Sequence, residues 1–200
     1  MKGSLIVVGF FLLGVVVGHF DVMPTWLQDG SFTFPALCCL LFCVGMGIGS
    51  NDNIASEFKA LNPRLALLPV ATILGCFAGS LVAWLLLQYR GVTDCLAVGS
   101  GFGYYSLSNI FITQYRGAEL GTVALLANIF REMITLLLSP LLVRFFGPLA
   151  PISAGGATSM DTTLPIITQS SGQQYVVVSL YHGFVVDFSV PFLVSMWCML

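Results

Sequence analysis

The chain has 200 residues, of which 57% are hydrophobic and only 8% are charged. Soluble domains carry about 25% charged residues, so this composition excludes a water-exposed globular surface, and the net charge of −2 gives no reason to expect a nucleic-acid partner. Helices satisfy their own backbone hydrogen bonds in lipid, so the composition predicts an all-α polytopic integral membrane protein.

Three apolar runs in residues 4–87 predict spanning helices, because a membrane helix needs about 20 predominantly apolar residues. The runs cover residues 4–20, 34–49 and 65–87. The loop between the second and third runs carries Lys59 and Arg64. Basic residues favour the cytoplasmic side of a membrane, so the N-terminus and this loop are expected in the cytoplasm.

Residues 91–200 follow a different pattern, in which two interrupted segments are each followed by a long helix. The first segment covers 96–115 and precedes a helix over 120–146, and the second covers 150–169 and precedes a helix over 175–200. The backbone breaks are expected at Gly99, Gly101, Gly103, Gly155 and Gly156. Paired interrupted helices are typical of transporters, which bind substrate where the two breaks meet.

Each interrupted segment could cross the membrane as a broken helix or return as a re-entrant hairpin. The chain would then contain five to seven membrane segments, all within a single transport domain over residues 1–200. The number of crossings is odd whether both segments cross the membrane or both return. In either case the C-terminus is therefore expected outside.

Five ionisable side chains are expected at membrane depth, namely Arg131, Glu132, Asp161, His182 and Asp187. An ionised group at a helix centre costs about 2.5–3.5 kcal/mol on insertion scales, so these groups need partners, water or a substrate. We expect functional roles for Glu132 and Asp161, because each has polar neighbours and neither has an obvious local cation. Asp187 could line a helix interface. His182 could relay protons or sit in hydrogen-bonded packing.

Asn128 and Glu132 are four residues apart and share one helix face, so both are expected to face an interior cavity. Arg131 points about 100° away from Glu132, and an ion pair with Asp161 or Asp187 is expected for it. For Arg131 a purely structural ion pair is favoured over direct contact with a substrate.

Polar groups of the interrupted segments are expected to contribute to the same site. Candidates for contact with substrate or protons are Ser106, Ser108, Asn109, Thr158, Ser159 and Thr162. Free helix N-termini attract carboxylates, and two carboxylates attract ammonium groups. The residues therefore fit a cationic amino acid such as lysine or ornithine, although a small cation with any carboxylate would also fit.

Four blocks of the sequence resemble the lysine exporter LysO family. They read SGFGYYSLSNIFIT (100–113), ANIFREMITLLLSPLLVR (127–144), GGATSMDTTLPI (155–166) and VVVSLYHGFVVDFSVPFLV (176–194). The resemblance implies export of L-lysine and its analogue thialysine across the bacterial inner membrane. It also implies that intramembrane acidic residues are functional, and Glu132 and Asp161 occupy the matching positions.

Longer members of that family carry a further N-terminal block of membrane helices, which this sequence does not contain. The resemblance therefore implies a homo-oligomer or a separate subunit that supplies that block. No cofactor or metal is expected, and protons or sodium would be the coupling ion. We expect proton antiport, in which returning protons displace the substrate from a carboxylate.

Two other functions remain open at this point. The chain could carry another small solute coupled to protons or sodium, or it could be a non-transporting structural subunit of a membrane complex. An enzyme is not expected, since the sequence contains no H-E-x-x-H or G-x-S-x-G motif.

Overall fold

The computed structural model describes residues 63–87 and 89–200, together with a few positions between residues 9 and 46. The first two predicted spanning helices, over 4–20 and 34–49, and the Lys59 loop lie outside the described residues apart from those few positions. Within the described part every regular element is helical. The α-helices are α1 (Pro63–Ala66), α2 (Leu68–Leu87), α3 (Val92–Gly99), α4 (Tyr105–Arg116), α5 (Ala118–Phe146), α6 (Ala150–Gly155), α7 (Leu164–Ser171) and α8 (Val176–Met199), with 3₁₀ turns at Gly156–Met160 and Gln173–Tyr175.

Three helical stretches are long and apolar enough to cross a membrane. They are Pro63–Leu87, Ala118–Phe146 and Gln173–Met199, with 25, 29 and 27 residues. Each exceeds the roughly 20 residues that a hydrocarbon core requires. Their positions match the predicted helices over 65–87, 120–146 and 175–200, and they confirm the fold class as an all-α polytopic membrane protein.

The first interrupted segment, residues 92–116, begins and ends at the same end of the long helices. Arg90, just before α3, forms an ion pair with Glu119 in the first turn of α5. Asp94 in α3 lies 3.5 Å from Arg116 in the last turn of α4. The Arg116 Nε also donates to the Cys198 carbonyl, near the end of α8, at 3.0 Å. Segment 92–116 is therefore a re-entrant hairpin, which we call the first hairpin, and it enters from the Arg90 end.

The second interrupted segment, residues 150–171, enters from the opposite end of the bundle, which we call the Arg144 end. Ile152 in α6 and Ile167 in α7 are buried together with Val178 near the start of α8. Leu65 and Leu68, at the start of the first long stretch, pack against the same cluster. Both arms thus lie beside the same helix ends, and segment 150–171 is the second hairpin. The alternatives left open by the sequence are resolved in favour of re-entry for both segments.

The two hairpins meet at their breaks, roughly halfway along the long helices. The Ala157 N–H donates to the Phe102 carbonyl at 2.9 Å. A Cβ on Gly156, where φ is +65°, would lie 2.1 Å from that same oxygen. A Cβ on Gly103, where φ is +96°, would lie 2.9 Å from the Gly155 carbonyl oxygen. Glycine is therefore required at both breaks for backbone to touch backbone.

The first hairpin is followed by α5 and the second by α8, and the two hairpins enter the bundle from opposite ends. In α5 the residues Asn128, Arg131 and Pro140 have the same spacing as Ser179, His182 and Pro191 in α8. Each proline lies inside its helix. Inverted repeats with interrupted helices meeting near the midplane are a common transporter architecture.

One face of α8 forms the core of the described bundle. Val186, Val190 and Val194 are spaced four residues apart and fully buried, so they lie on one face of the helix. They pack in one cluster with Phe102 and Ile112 of the first hairpin. This packing anchors the first hairpin against α8 and fixes the position of its break.

Candidate functional site

Asn128, in the middle of α5, holds the break of the first hairpin. Its side chain is 4% exposed. The Asn128 Oδ1 accepts the Gly103 backbone N–H at 2.7 Å, while its Nδ2 donates to the Ala124 carbonyl at 2.8 Å and lies 3.3 Å from the Ser108 hydroxyl. Asn128 does not face a cavity as the sequence suggested, because its amide is committed to the backbone of the break.

Arg131, one turn further along α5, holds the second hairpin. Its Nε donates to the Ala154 carbonyl at 2.7 Å and its Nη2 to the Ser153 carbonyl at 2.8 Å. These carbonyls belong to the last turn of α6, where helix carbonyls lack partners within the helix. The expected ion pair with Asp161 or Asp187 is not formed. Carbonyl groups at a helix C-terminus accept hydrogen bonds from a guanidinium in place of a carboxylate, and the negative end of the helix dipole favours a cation there.

His182 in α8 joins the second hairpin to α2. It is fully buried, with Nε2 2.9 Å from the Thr72 hydroxyl and Nδ1 3.1 Å from the Ser159 hydroxyl. Ser159 also reaches the Gly156 and Ser179 carbonyls, at 2.7 and 3.1 Å. Those carbonyls can only accept, so they take the serine proton. The serine oxygen then accepts from Nδ1–H, and Nε2 accepts from Thr72. Both ring nitrogens are thus occupied within the packing.

Three carboxyl groups surround the tip of the second hairpin, and we call Glu132, Asp161 and Asp187 the acidic cluster. The Thr162 hydroxyl lies within hydrogen-bonding reach of Glu132 and 3.3 Å from Asp161 Oδ1. Asp161 Oδ1 also accepts the Thr162 backbone N–H at 2.5 Å. Asp161 is close enough to interact electrostatically with both other carboxylates. Thr162 thus lies between Glu132 and Asp161, and its one hydroxyl proton can be donated to only one of them at a time.

Asp187 is brought to this cluster by the close packing of α8 on the hairpin tip. Gly183, one turn before Asp187, touches the residue that precedes Asp161: a Cβ on Gly183 would lie 2.7 Å from the Met160 nitrogen. All three acidic side chains are half-buried. Neither of the two ion pairs found in the described part of the chain involves them. The cluster therefore carries negative charge that neither of these ion pairs compensates.

The predicted hydroxyl and amide residues divide into two groups. Ser108 and Thr158 are buried and donate to backbone carbonyls of their own hairpins, Tyr104 at 2.8 Å and Gly155 at 3.0 Å. Ser159 belongs to the His182 network described above. Ser106 is exposed and Asn109 half-buried, and the latter accepts the Thr113 hydroxyl at 3.0 Å. Of the six residues, only Thr162 contacts the acidic cluster.

Three of the five predicted glycines lie outside the tip contact and allow close packing there. A Cβ on Gly99 would lie 1.9 Å from the Ser80 hydroxyl of α2, and one on Gly101 would lie 2.3 Å from the Asn128 amide nitrogen. A Cβ on Gly155 would lie 2.8 Å from the Thr163 hydroxyl. Gly103 and Gly156 form the contact between the hairpins. The breaks are thus shaped by approach of α2, α5 and the opposite hairpin.

Several residues of this region were not singled out from the sequence. Phe102 adopts a positive φ of 44° and is fully buried at the tip contact, and its place between two glycines was the available signal. Ser179 stands three residues before His182, on the same helix face. Thr72 and Cys76 lie in an unbroken apolar helix, where no local pattern marks them.

Among the described residues, no group of three His, Cys, Asp or Glu side chains is placed to hold a metal ion. The acidic cluster offers several carboxylate oxygens, which can receive an ammonium group.

Comparison with known proteins identifies the family. The profile described as "Lysine exporter LysO" matches residues 8–198. The chain belongs to the lysine exporter LysO family. This assignment makes it a member of a family of amino-acid exporters and confirms the resemblance seen in the sequence. It also fits a multi-pass membrane protein.

Two relatives within the LysO family are similar over most of this chain. It is 34% identical over 159 residues to "Lysine exporter LysO" of Escherichia coli, a match that covers 80% of this chain and 52% of that protein. It is 31% identical over 184 residues to "Putative lysine exporter" of Haemophilus influenzae, covering 91% of each. The chain thus spans about half the length of the first relative. No solved structure matches it.

Proposed function

We propose that this chain exports a cationic amino acid, L-lysine foremost, by binding its ammonium groups at the acidic cluster. The observation that carries the proposal is the convergence of Glu132, Asp161 and Asp187 from three elements on one hairpin tip. Half-buried carboxylates at membrane depth are expensive unless they serve a pathway. A lysine side chain supplies the missing positive charge, and thialysine supplies the same charge on a chain of similar length.

The α-carboxylate of the substrate would bind at the first hairpin. The N-terminus of α4 at Tyr105 lies two residues after Gly103, whose backbone packs on the second hairpin: a Cβ there would be 3.5 Å from Thr158. Backbone N–H groups at a helix N-terminus favour an anion. Ser106 is exposed in the first turn of this helix, so its hydroxyl is free to donate to the same carboxylate.

Proton antiport is the coupling that we propose, because Glu132 and Asp161 are close enough to influence each other electrostatically. With an ammonium ion bound, both Glu132 and Asp161 are compensated. When it leaves toward the outside, two neighbouring anions in a poorly solvated site repel each other, and one takes up a proton. The protonated cluster then becomes accessible from the cytoplasm. There the next substrate molecule binds and displaces the proton, which is released to the cytoplasm.

We place the Arg144 end in the cytoplasm and the Arg90 end outside, in the bacterial inner membrane. Arg64 precedes α2 at the Arg144 end, and basic residues favour the cytoplasmic side. In this orientation the N-terminus is cytoplasmic and the C-terminus is outside. The working unit is proposed to contain a second copy of this chain or a separate subunit, because the Escherichia coli relative is about twice as long as the matched region.

The test is efflux of labelled lysine from proteoliposomes that contain only this chain, with and without an inward proton gradient. We expect efflux that rises with the gradient and is lost on Glu132→Gln, while the variant remains folded and inserted. Gradient-independent efflux that needs sodium would replace the proton by sodium as coupling ion. Absence of efflux, both alone and after co-expression with a second subunit, would refute export by this chain.

A further inference from the structure

A cavity of about 350 Å³ lies beside α5, and no residue of the acidic cluster lines it. It lies between α2, α3 and α5, and its volume is within the range of about 300–1,000 Å³ that small-molecule sites occupy. Along α2 its wall runs from Cys76 through Ser80 and Ala83 to Leu87. Eleven residues of helix rise about 16 Å, so the cavity extends from the level of the hairpin breaks to the Arg90 end.

The inner end of the cavity carries a positive group. Arg131 lines it, and the Arg131 Nη1 donates to the Cys76 sulfur at 3.1 Å. Together with the Ser153 and Ala154 carbonyls, this contact uses three of the five N–H groups of the guanidinium. Two N–H groups are left for an anion in the cavity, and a carboxylate is the anion that a guanidinium binds best.

A carboxylate lies in the same wall nearer the Arg90 end. Asp94 lines the cavity, and its Oδ1 is buried and accepts no hydrogen bond, although Arg116 lies 3.5 Å away. Asp94 stands five residues before Gly99, which packs at the level of Cys76 and Ser80. That separation is about 7.5 Å along the helix, so Asp94 lies nearer the Arg90 end of the cavity than the Arg131 guanidinium does.

The two charged groups suit the two ends of a cationic amino acid. In an extended lysine, six bonds of about 1.5 Å separate the carboxyl carbon from the side-chain nitrogen, which is about 7.5 Å in projection. A molecule with its carboxylate on Arg131 would therefore extend its side-chain ammonium towards Asp94. The ion pair of Arg90 and Glu119, both of which line the cavity, lies at its outer end.

We propose that this cavity is a second binding site for the exported cationic amino acid, through which it leaves toward the Arg90 end. The inference rests on the proposed function for the identity of the ligand. Arg131 and Asp94 bind the two ends of the molecule, which leaves past the ion pair of Arg90 and Glu119 at the outer end. Arg131 also donates hydrogen bonds to the second hairpin. A ligand bound to Arg131 in the cavity therefore acts directly on the hairpin breaks.

Cys76 provides a test that does not depend on transport. The other five cysteines are replaced by alanine in the full-length chain, which leaves one thiol at the inner end of the cavity. The rate of alkylation of Cys76 by iodoacetamide, a small neutral reagent, is measured by mass spectrometry on folded protein at increasing lysine concentration. We expect lysine to slow alkylation several-fold in a saturable way, and leucine at equal concentration to have no effect.

Two variants distinguish binding from a change in packing. Asp94→Asn should raise the lysine concentration needed for half-protection by about tenfold or more, as expected for loss of a charged hydrogen bond, and Asp94→Glu should restore part of the protection. Arg116→Gln breaks the same ion pair but keeps the Asp94 carboxylate, so it should still show protection. Equal loss in Asp94→Asn and Arg116→Gln would mean that Asp94 acts only through packing, and the inference would fail.

The outcome is separable from that of the proposed function. If proteoliposomes export lysine but lysine never protects Cys76, the cavity is not a substrate site and only this inference is overturned. If lysine and leucine protect equally, the cavity does not recognise the cationic side chain, which also overturns it. If export itself is absent, the proposed function fails, whereas protection of Cys76 still reports separately on whether lysine binds in the cavity.

Discussion

Asn128 and Arg131 stand three residues apart on α5, and each holds the break of a different hairpin. The first accepts the Gly103 N–H at 2.7 Å, and the second donates to the Ala154 carbonyl at 2.7 Å. One face of one helix thus fixes two segments that enter from opposite ends. Because Glu132 follows directly, the same turn of α5 also sets the position of a carboxylate relative to both breaks.

Replacement of Asn128 by leucine should destabilise the protein. The Gly103 N–H would lose its acceptor in a buried position, which costs about 1–3 kcal/mol. Thermal unfolding in detergent, followed by the fluorescence of a thiol-reactive dye, measures the loss. Asn109→Leu changes the same residue type at a half-buried position on α4 and should have a smaller effect on stability. An equal effect of the two changes would contradict the role given to Asn128.

Arg131→Lys should destabilise the second hairpin although it preserves the charge. An ammonium group is a point donor and cannot bind the Ser153 and Ala154 carbonyls as a planar guanidinium does. Loss of one charged hydrogen bond corresponds to about 1.5–3 kcal/mol. Faster hydrogen exchange in residues 150–160 would report it. Arg144→Lys near the end of α5 is the matched control, and comparable exchange in both variants would refute the assignment.

His182→Gln should leave the pH dependence of lysine efflux unchanged. Both ring nitrogens of His182 bind hydroxyl groups of the packing, so the ring is not placed to carry protons between compartments. The variant is expected to be less stable, since two buried hydrogen bonds are rearranged. Efflux is measured in proteoliposomes over a range of external pH. A profile that becomes flat while the protein remains folded would instead establish His182 as a proton relay.

Gly156→Ala should separate the two hairpin tips. Its Cβ would lie 2.1 Å from the Phe102 oxygen, so one backbone must move in addition to the cost of about 1–2 kcal/mol for a left-handed alanine. Gly147→Ala isolates that second cost, because its φ is +88° and nothing lies within 4 Å of the added atom. We expect lysine efflux to be lost only in Gly156→Ala. Normal efflux in that variant would show that the tip contact is dispensable.

The positions of the breaks could be predicted from the sequence because glycine leaves a local mark. Gly103 and Gly156 both adopt positive φ at the tip contact, and the surrounding serines and threonines distinguish these segments from ordinary spans. Whether the segments cross or return could not be predicted. Apolar length permits both, and the ion pairs that show the return, such as Asp94 with Arg116, join positions far apart in sequence.

The partner of Arg131 was also beyond prediction. A charged residue in an apolar helix suggests an opposite charge, yet the helix end that satisfies it at Ser153 and Ala154 consists of carbonyl groups that every residue has. By contrast, the importance of Glu132 and Asp161 rests on residue type alone, and the structure brings both to Thr162. Their roles in binding remain a prediction.

The most direct test of the central claim is binding of labelled lysine to the purified chain, measured by scintillation proximity, in the native protein and in Glu132→Gln and Asp161→Asn. If the acidic cluster receives the ammonium groups, each variant should weaken binding by about tenfold or more, as expected for one charged hydrogen bond, with thermal stability close to that of the native protein. Unchanged affinity in both variants, with binding intact in the native chain, would contradict the account.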